Sequence, residues 1–381
     1  MHDPVYIDEE LRQFRSQVSR FVDEEIVPHA DAWEASGKVP RELFRKAGEL
    51  GFLGVRYPTE YGGSDLNALY TVVMAEELGK CTYGGVTVGM LVHSEMASTY
   101  LRKYGNQEQL ERYMHKVIAG ELVSGVAMTE PDAGSDLAGM KMRAVPEGEE
   151  WVLNGTKMFI TNGVHGDLFF VAAKTDTEAP GSRGITMFIV ERGTPGFSVG
   201  RALNKTGWLS SDTAELVFDG VRVPEGNVVG EVNRGFYCLV DNLQNERLTI
   251  GGMAIGECQK ALALTLDYVK QRKAFGGSLW DRETVRQRMA QLYAEVEAAR
   301  HLVYHCAWLD SRGEDCVKET SMVKVLCGEL VNKVTYECVQ FHGGAGYMRE
   351  TAVERMSRDA RVQAIGGGAT EVMREEIAKR L

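Results

Sequence analysis

Three groups of residues in this 381-residue chain have types and spacing that can do chemistry. The run Ala127–Asp136 (AMTEPDAGSD) follows an apolar, strand-like stretch and collects the Thr129 and Ser135 hydroxyls, Gly134 and several carboxylates. Such a loop either turns successive backbone N–H groups and hydroxyls toward a pyrophosphate or is a solvated turn. The glycine runs FHGGAGY at 341–347 and IGGGAT at 365–370 interrupt strongly helical stretches, where each glycine costs about 1 kcal/mol relative to alanine. They are either helix ends and tight turns, or backbone brought close to a flat or phosphorylated ligand. His301 and His305 stand one helical turn apart, as two metal ligands would, but no third ligand is near in sequence. A histidine pair partly buried in a helical bundle is the simpler reading, and no metal is expected. The chain has no P-loop, HExxH, GxSxG elbow or strand-linked GxGxxG, which argues against a nicotinamide cofactor on a Rossmann domain.

The elements that must position these groups fall into three textures. Residues 1–122 carry apolar positions at helical spacing, as in Leu11, Phe14, Val18, Val22 and Ile26, with Asp8 as an N-cap and Pro28, Pro40 and Pro58 at expected helix ends. Residues 123–233 change to short Val-, Ile-, Phe- and Thr-rich runs, with strands expected at 168–173, 184–190 and 213–223. Asn154-Gly155, between two strand-like halves, predicts a hairpin turn. Residues 234–381 contain no proline and return to a helical period, as in Val285, Met289, Leu292, Val296, Ala299 and Val303, which predicts a bundle of long helices. The fold class is therefore mostly α with a middle β-domain.

Composition narrows the setting. With 43 basic and 54 acidic residues the net charge is −11, which argues against nucleic acid or an anionic membrane as the main partner. Seven cysteines without CxxC spacing fit a reduced compartment, so the expected location is cytoplasmic. No signal-like start and no run approaching about 18 apolar residues is present, so no membrane insertion is expected.

Taken together the segments resemble the acyl-CoA dehydrogenase family over essentially the whole chain. AMTEPDAGSDLAG at 127–139 and QFHGGAGYMRETAVERMSRD at 340–359 are similar to its two signatures, with further matches in KMFITNG at 157–163, DTAELVFDGVRVP at 212–224 and VKQRKAFG at 269–276. The resemblance implies an N-terminal helical domain, a middle β-domain of barrel or sandwich type, and a C-terminal four-helix bundle. It also implies FAD as cofactor and fatty acid oxidation as the setting. Met128, Thr129, Gly134 and Ser135 would line the flavin and pyrophosphate, with Ser135 also reaching substrate. Phe159, in a place often held by tryptophan, Ile160 and Thr161 would pack on the flavin ring. Arg272, Phe275, Gln340, Gly343 and Gly344 would come from a neighbouring subunit to hold the adenine half, which makes a homotetramer, a dimer of dimers, part of cofactor binding. Ala369, Thr370 and Glu371 would follow along the flavin. Two positions depart from the pattern: Glu283 stands where a Gln is usual, and Ala369 where a Thr is usual.

The same resemblance implies oxidation of an acyl-CoA thioester, a base removing the α-proton while the β-hydrogen leaves as hydride to flavin N5. In many members the base is a glutamate at the position that here is Gly367. Members of the long-chain and isovaleryl type carry it on an earlier helix, in a segment similar to Leu243-Gln244-Asn245-Glu246-Arg247-Leu248. Glu246 is therefore the expected base, approaching the gap left by Gly367, whose N–H would receive the thioester oxygen's developing charge. Gln244, Arg247 and Gly368 would join Ser135 on the substrate, with Arg247 alternatively a structural salt bridge. Small residues at 84–89 imply either a roomy pocket for medium, long or branched chains or close helix packing. An electron-transfer flavoprotein is the implied acceptor. A related flavin oxidase acting on acyl-CoA or nitroalkane, or a non-catalytic flavoprotein, are the alternatives.

Overall fold

The computed structural model describes residues 2–381. The N-terminal part is helical: α1 (Glu9–Phe21), α2 (Ala30–Ser36), α3 (Arg41–Glu49), α4 (Ala68–Gly79), α5 (Gly84–Leu91), α6 (Thr99–Tyr104) and α7 (Gln107–Ile118). Asp8 caps α1, its carboxylate accepting the Leu11 N–H at 2.9 Å. The apolar row turns inward as its spacing predicts, with Leu11, Val18, Val22 and Ile26 buried, and it runs past α1 through a wider π-helical turn at Val22–Ile26. Pro28 follows that turn. Pro40 and Pro58 instead precede helices, as the N-caps of α3 and of a short 3-10 turn, because a helix start has donors to spare and tolerates a residue without an N–H.

The middle part holds β1 (Ser124–Ala127), β2 (Arg143–Glu147), β3 (Glu150–Thr161), β4 (Leu168–Lys174), β5 (Ile185–Glu191), β6 (Phe197–Ala202), β7 (Thr213–Pro224) and β8 (Val228–Val229). They form one sheet in the order β6-β7-β3-β2-β4-β5-β8, with β1 added parallel to β4. The three strands expected between 168 and 223 are present within a residue of each end.

The hairpin expected at Asn154-Gly155 is not there. Both residues lie inside the single strand β3, at a bulge where its pairing with β7 shifts register. A side chain at Gly155 would come within 2.8 Å of Met142, and Asn154 uses its side chain to accept the Gly220 N–H at 2.8 Å. The dipeptide therefore serves a close approach between strands. The turn falls at Gly148-Glu149, joining Glu147 of β2 to Glu150 of β3, with Gly148 at φ +67° in the first central position, as a type II′ turn requires.

The C-terminal part is α8 (Gly235–Gln271), a small hairpin of β9 (Lys273–Ala274) and β10 (Gly277–Ser278), then α9 (Glu283–Ser311), α10 (Val317–His342), α11 (Ala352–Ala360) and α12 (Thr370–Ala378). Met289, Leu292, Val296, Ala299 and Val303 of α9 are buried in the bundle core with α8 and α10, and α4 contributes Val72 and Val73 to the same core. The α8 helix thus touches both flanking domains, and the candidate site lies on its N-terminal third. Among the described residues, no helix is long and apolar enough to cross a membrane.

Candidate active site

Glu246 is the twelfth of the 37 residues of α8 and is 4% exposed. Its Oε1 accepts from Asn242 Nδ2, one turn earlier, at 3.0 Å and from the Tyr100 hydroxyl at 3.4 Å. Burial raises its pKa to about 7, while the Asn242 and Tyr100 hydrogen bonds and the Arg247 charge hold it from rising further. Tyr100 of α6 packs on Phe170 of β4 with ring centroids 6.0 Å apart. Phe170 is the register partner of Val126, two residues before Met128. One aromatic contact therefore links Tyr100, bonded to Glu246, to the strand that leads into the Met128–Ser135 loop.

That loop is held from within by a pair sequence reasoning did not single out. The Lys157 ammonium, fully buried on β3, donates to the Met128 carbonyl at 2.9 Å and to Glu130 Oε1 at 2.8 Å. Glu130 also accepts the Lys141 and Met142 N–H groups at 2.5 and 3.1 Å. Burial outweighs the Glu130 charge and lowers the Lys157 pKa to about 8, so the ammonium is still mainly protonated near neutral pH. The Thr129 carbonyl accepts the Met158 N–H at 2.8 Å. With its inner polar atoms satisfied, the loop turns Gly134 and Ser135 outward, and a Cβ on Gly134 would meet nothing within 4 Å. Beside it Phe159 is held at φ +61° with its ring 65% exposed. Such strain in an aromatic residue is kept only where the surroundings impose it. Ile160 faces the sheet core and Thr161 is half-buried, so the aromatic surface offered here is that of Phe159 alone.

Gly367 and Gly368 precede α12 at φ +66° and +106°. A Cβ on Gly367 would stand 2.5 Å from Ile250 Cδ1, and Ile250 is one turn after Glu246. Gly367 thus faces the same side of α8 as Glu246, with the flexible end of Ile250 beside it. Ile250 and Met128 both pack against the same apolar cluster. Ala369 caps α12 without a side-chain bond, Thr370 is buried and Glu371 is exposed. Arg247 is buried, its nearest partner being the Ser321 hydroxyl at 3.5 Å, and its Nε has none. Burial lowers its pKa. A buried guanidinium so poorly satisfied does not fit the structural salt-bridge reading. Gln244 is half-buried and accepts the Cys316 thiol at 3.8 Å.

Arg272, Phe275, Gln340, Gly343 and Gly344 gather elsewhere. From Glu246 to its end at Gln271, α8 runs a further 25 residues, about 38 Å. There Tyr268 stacks on His342 with ring centroids 4.1 Å apart and donates to its carbonyl at 3.1 Å, joining the ends of α8 and α10. Phe275 sits at φ +52° with its ring 92% exposed.

Two other expectations resolve locally. Gly84 and Gly85 are sites of close approach: a Cβ on Gly84 would lie 2.7 Å from Trp208, and Gly85 faces the backbone of Ser211 at 2.7 Å. The small residues there serve packing, locked by Asp359, whose carboxylate accepts the Gly84 and Trp208 N–H groups at 3.0 and 2.6 Å. His305 pairs with the Tyr6 hydroxyl at 3.0 Å and His301 lies 3.4 Å from Glu297; among the described residues no group of three or more His, Cys, Asp or Glu is placed to hold a metal.

A helix–sheet–helix chain with a buried, near-neutral carboxyl at the seam of its domains defines an enzyme of the acyl-CoA dehydrogenase fold. Family models for the N-terminal, middle and C-terminal domains of acyl-CoA dehydrogenase match residues 8–121, 125–221 and 233–381. The long-chain specific acyl-CoA dehydrogenase of Mus musculus mitochondria is 42% identical over 371 residues, 97% of this chain and 85% of that one. Isovaleryl-CoA dehydrogenase of Pongo abelii mitochondria is 38% identical over 376 residues, 98% of this chain and 89% of that one. The crystal structure of an acyl-CoA dehydrogenase from Geobacillus kaustophilus superposes with a TM-score of 0.95 at 40% identity, covering 99% of each chain. The chain belongs to the acyl-CoA dehydrogenase family, whose members are FAD enzymes of fatty acid oxidation. The residues present fit that cofactor: the outward aromatic face of Phe159 beside the open Gly134 loop suits a flat ring with a phosphate tail.

Proposed function

We propose that this acyl-CoA dehydrogenase converts a medium, long or branched-chain acyl-CoA to the trans-2-enoyl-CoA with Glu246 as the base. The observation that carries the reading is a carboxyl whose pKa is raised by burial to about 7, one turn from the residue that faces Gly367. A base of that pKa is half-ionised near neutral pH and strong enough to matter. Glu246 takes the α-proton, breaking a C–H bond and forming an O–H bond on its carboxylate. The Gly367 N–H receives the charge that grows on the thioester oxygen, a role its positive φ leaves to a glycine. Arg247, with donors buried and poorly satisfied, is assigned to the CoA side together with Ser135, Gln244 and Gly368. FAD, when bound, supplies the acceptor for the β-hydride.

Met128, Thr129, Gly134, Ser135, Phe159, Ile160 and Thr161 are assigned to the flavin end of FAD, followed by Ala369, Thr370 and Glu371. Arg272, Phe275, Gln340, Gly343 and Gly344 are assigned to the adenine end in a second subunit. The roughly 38 Å of helix between Glu246 and Gln271 supports this division, since one dinucleotide does not bridge it within one subunit. A ring as exposed as Phe275 also supports a homotetramer in which a neighbouring chain covers it. The acceptor of the electrons is proposed to be an electron-transfer flavoprotein, and seven free, buried cysteines support a reducing, cytoplasmic setting. The test is turnover of the FAD-loaded enzyme on a series of acyl-CoA esters with an artificial acceptor. Medium, long or branched esters should bleach the flavin, with slow reoxidation in air. Fast reoxidation would instead make the protein an oxidase, and no bleaching by any ester would overturn the reading.

A further inference from the structure

Lys324 of α10 is a buried cation that the reaction as described leaves unused. Its side chain is 1% exposed, and its ammonium donates to the Gln363 carbonyl at 2.6 Å and the Gly368 carbonyl at 3.0 Å. The charged side chain acting on it is Arg247, of the same sign, and burial with that repulsion lowers its pKa to about 8. It therefore remains mainly protonated at neutral pH. Taking an ammonium out of water with no carboxylate to offset it is costly. A neutral side chain can clip two carbonyls for less, so the charge itself calls for a reason.

The position supplies one. The two carbonyls lie on either side of Gly367, and Lys324 Cε is 3.6 Å from where a Gly367 Cβ would stand. Gly366, Gly367 and Gly368 are three consecutive residues with little conformational preference of their own, so the direction of the Gly367 N–H must be imposed from outside. One side of the segment is also fixed by the Gln363 amide, which donates to Glu257 at 2.5 Å. Lys324 holds both sides at once.

We propose that Lys324 is a positioning residue of the reaction: it aims the Gly367 N–H at the thioester oxygen and sets a fixed positive charge behind the oxyanion that develops there. This rests on the reading of Glu246 as base and Gly367 as donor. A thioester with no β-hydrogen, a 3,3-dimethylacyl-CoA, allows only the α-proton step, and loss of its α-proton NMR signal in D2O follows that step on the FAD-loaded enzyme. K324M should keep its flavin and its melting temperature while exchanging about tenfold to a hundredfold more slowly, the scale of a misplaced catalytic contact. K324R should recover part of the rate. Exchange at the wild-type rate in flavin-loaded K324M overturns the proposal, and so does loss of flavin binding in step with exchange, which marks a scaffold role. Should K324M fail to fold, K324Q, which keeps a donor without the charge, decides by the same two outcomes. E246Q is run alongside: exchange surviving there removes the base assignment itself, whereas an inert E246Q with unaffected K324 variants removes only the role of Lys324.

Discussion

Glu246→Gln separates chemistry from stability, because the amide keeps the Oε1 acceptor used by Asn242 and Tyr100 and removes only the ability to take a proton. Loss of a general base costs about 10²- to 10⁴-fold, so anaerobic bleaching of the flavin by an acyl-CoA should slow by that factor with the ester still bound. In the wild type, kcat/KM should fall about tenfold per pH unit below about 7. Stability should move the opposite way. The folded-state pKa of about 7 exceeds the ordinary 4.5, so the folded chain binds the extra proton between those values. The stability present below about pH 4.5 is lost as pH rises through about 7. At about 1.36 kcal/mol per pH unit the wild type gives up about 3 kcal/mol by pH 8, and the glutamine variant gives up none. E246Q should therefore melt at a higher temperature than wild type at pH 8 and at the same temperature near pH 4.5. Calorimetric scans of the FAD-loaded proteins at the two pH values read this directly. A variant that bleaches at the wild-type rate, or one equally stabilised at both pH values, refutes the reasoning.

Three further outcomes follow from the same contacts. Asn242→Leu removes a hydrogen bond to the carboxylate worth about 1.4 kcal/mol, so the midpoint of the kcat/KM profile should rise by about one pH unit; an unmoved midpoint contradicts the 3.0 Å contact. Lys157→Met strands the buried Glu130 carboxylate and should cost about 3–5 kcal/mol, seen as a lower melting temperature with release of flavin; a fully loaded variant with unchanged melting rules this out. Placing a glutamate at 367 in E246Q should restore bleaching only in part, since φ there is +66°, which strains any side chain, whereas Ile250 Cδ1, 2.5 Å from the added Cβ, is the end of a flexible side chain that can swing aside; full recovery would show that this strain does not limit the position.

The resemblance was legible because two long motifs, at 127–139 and 340–359, carry backbone requirements that few residue types meet. Periodicity showed the three textures for a local reason: burying one face of a helix or strand forces apolar residues to recur at 3.6 or 2 positions. Where a local signal met a tertiary demand it failed. Asn154-Gly155 has the chemistry of a turn, yet β7 and Met142 require a bulge there; at Gly84 and Gly85 the sequence left a roomy pocket and close packing both open, and contacts with Trp208 and Ser211, far along the chain, select packing.

By itself the sequence determined the order of helical, sheet and helical segments and the Asp8 cap; the reading of Gly367 as a vacancy and of Glu246 as its replacement came from the family resemblance. Only the tertiary structure decided that the Glu246 carboxyl is buried and bonded to Tyr100, that Lys157 pairs with Glu130 beneath the 128–135 loop, and that Lys324 stands behind Gly367. These partners are 146, 27 and 44 residues apart in sequence. No periodicity links positions so distant; what joins them is burial, which makes each charged or polar group depend on whatever the fold brings beside it.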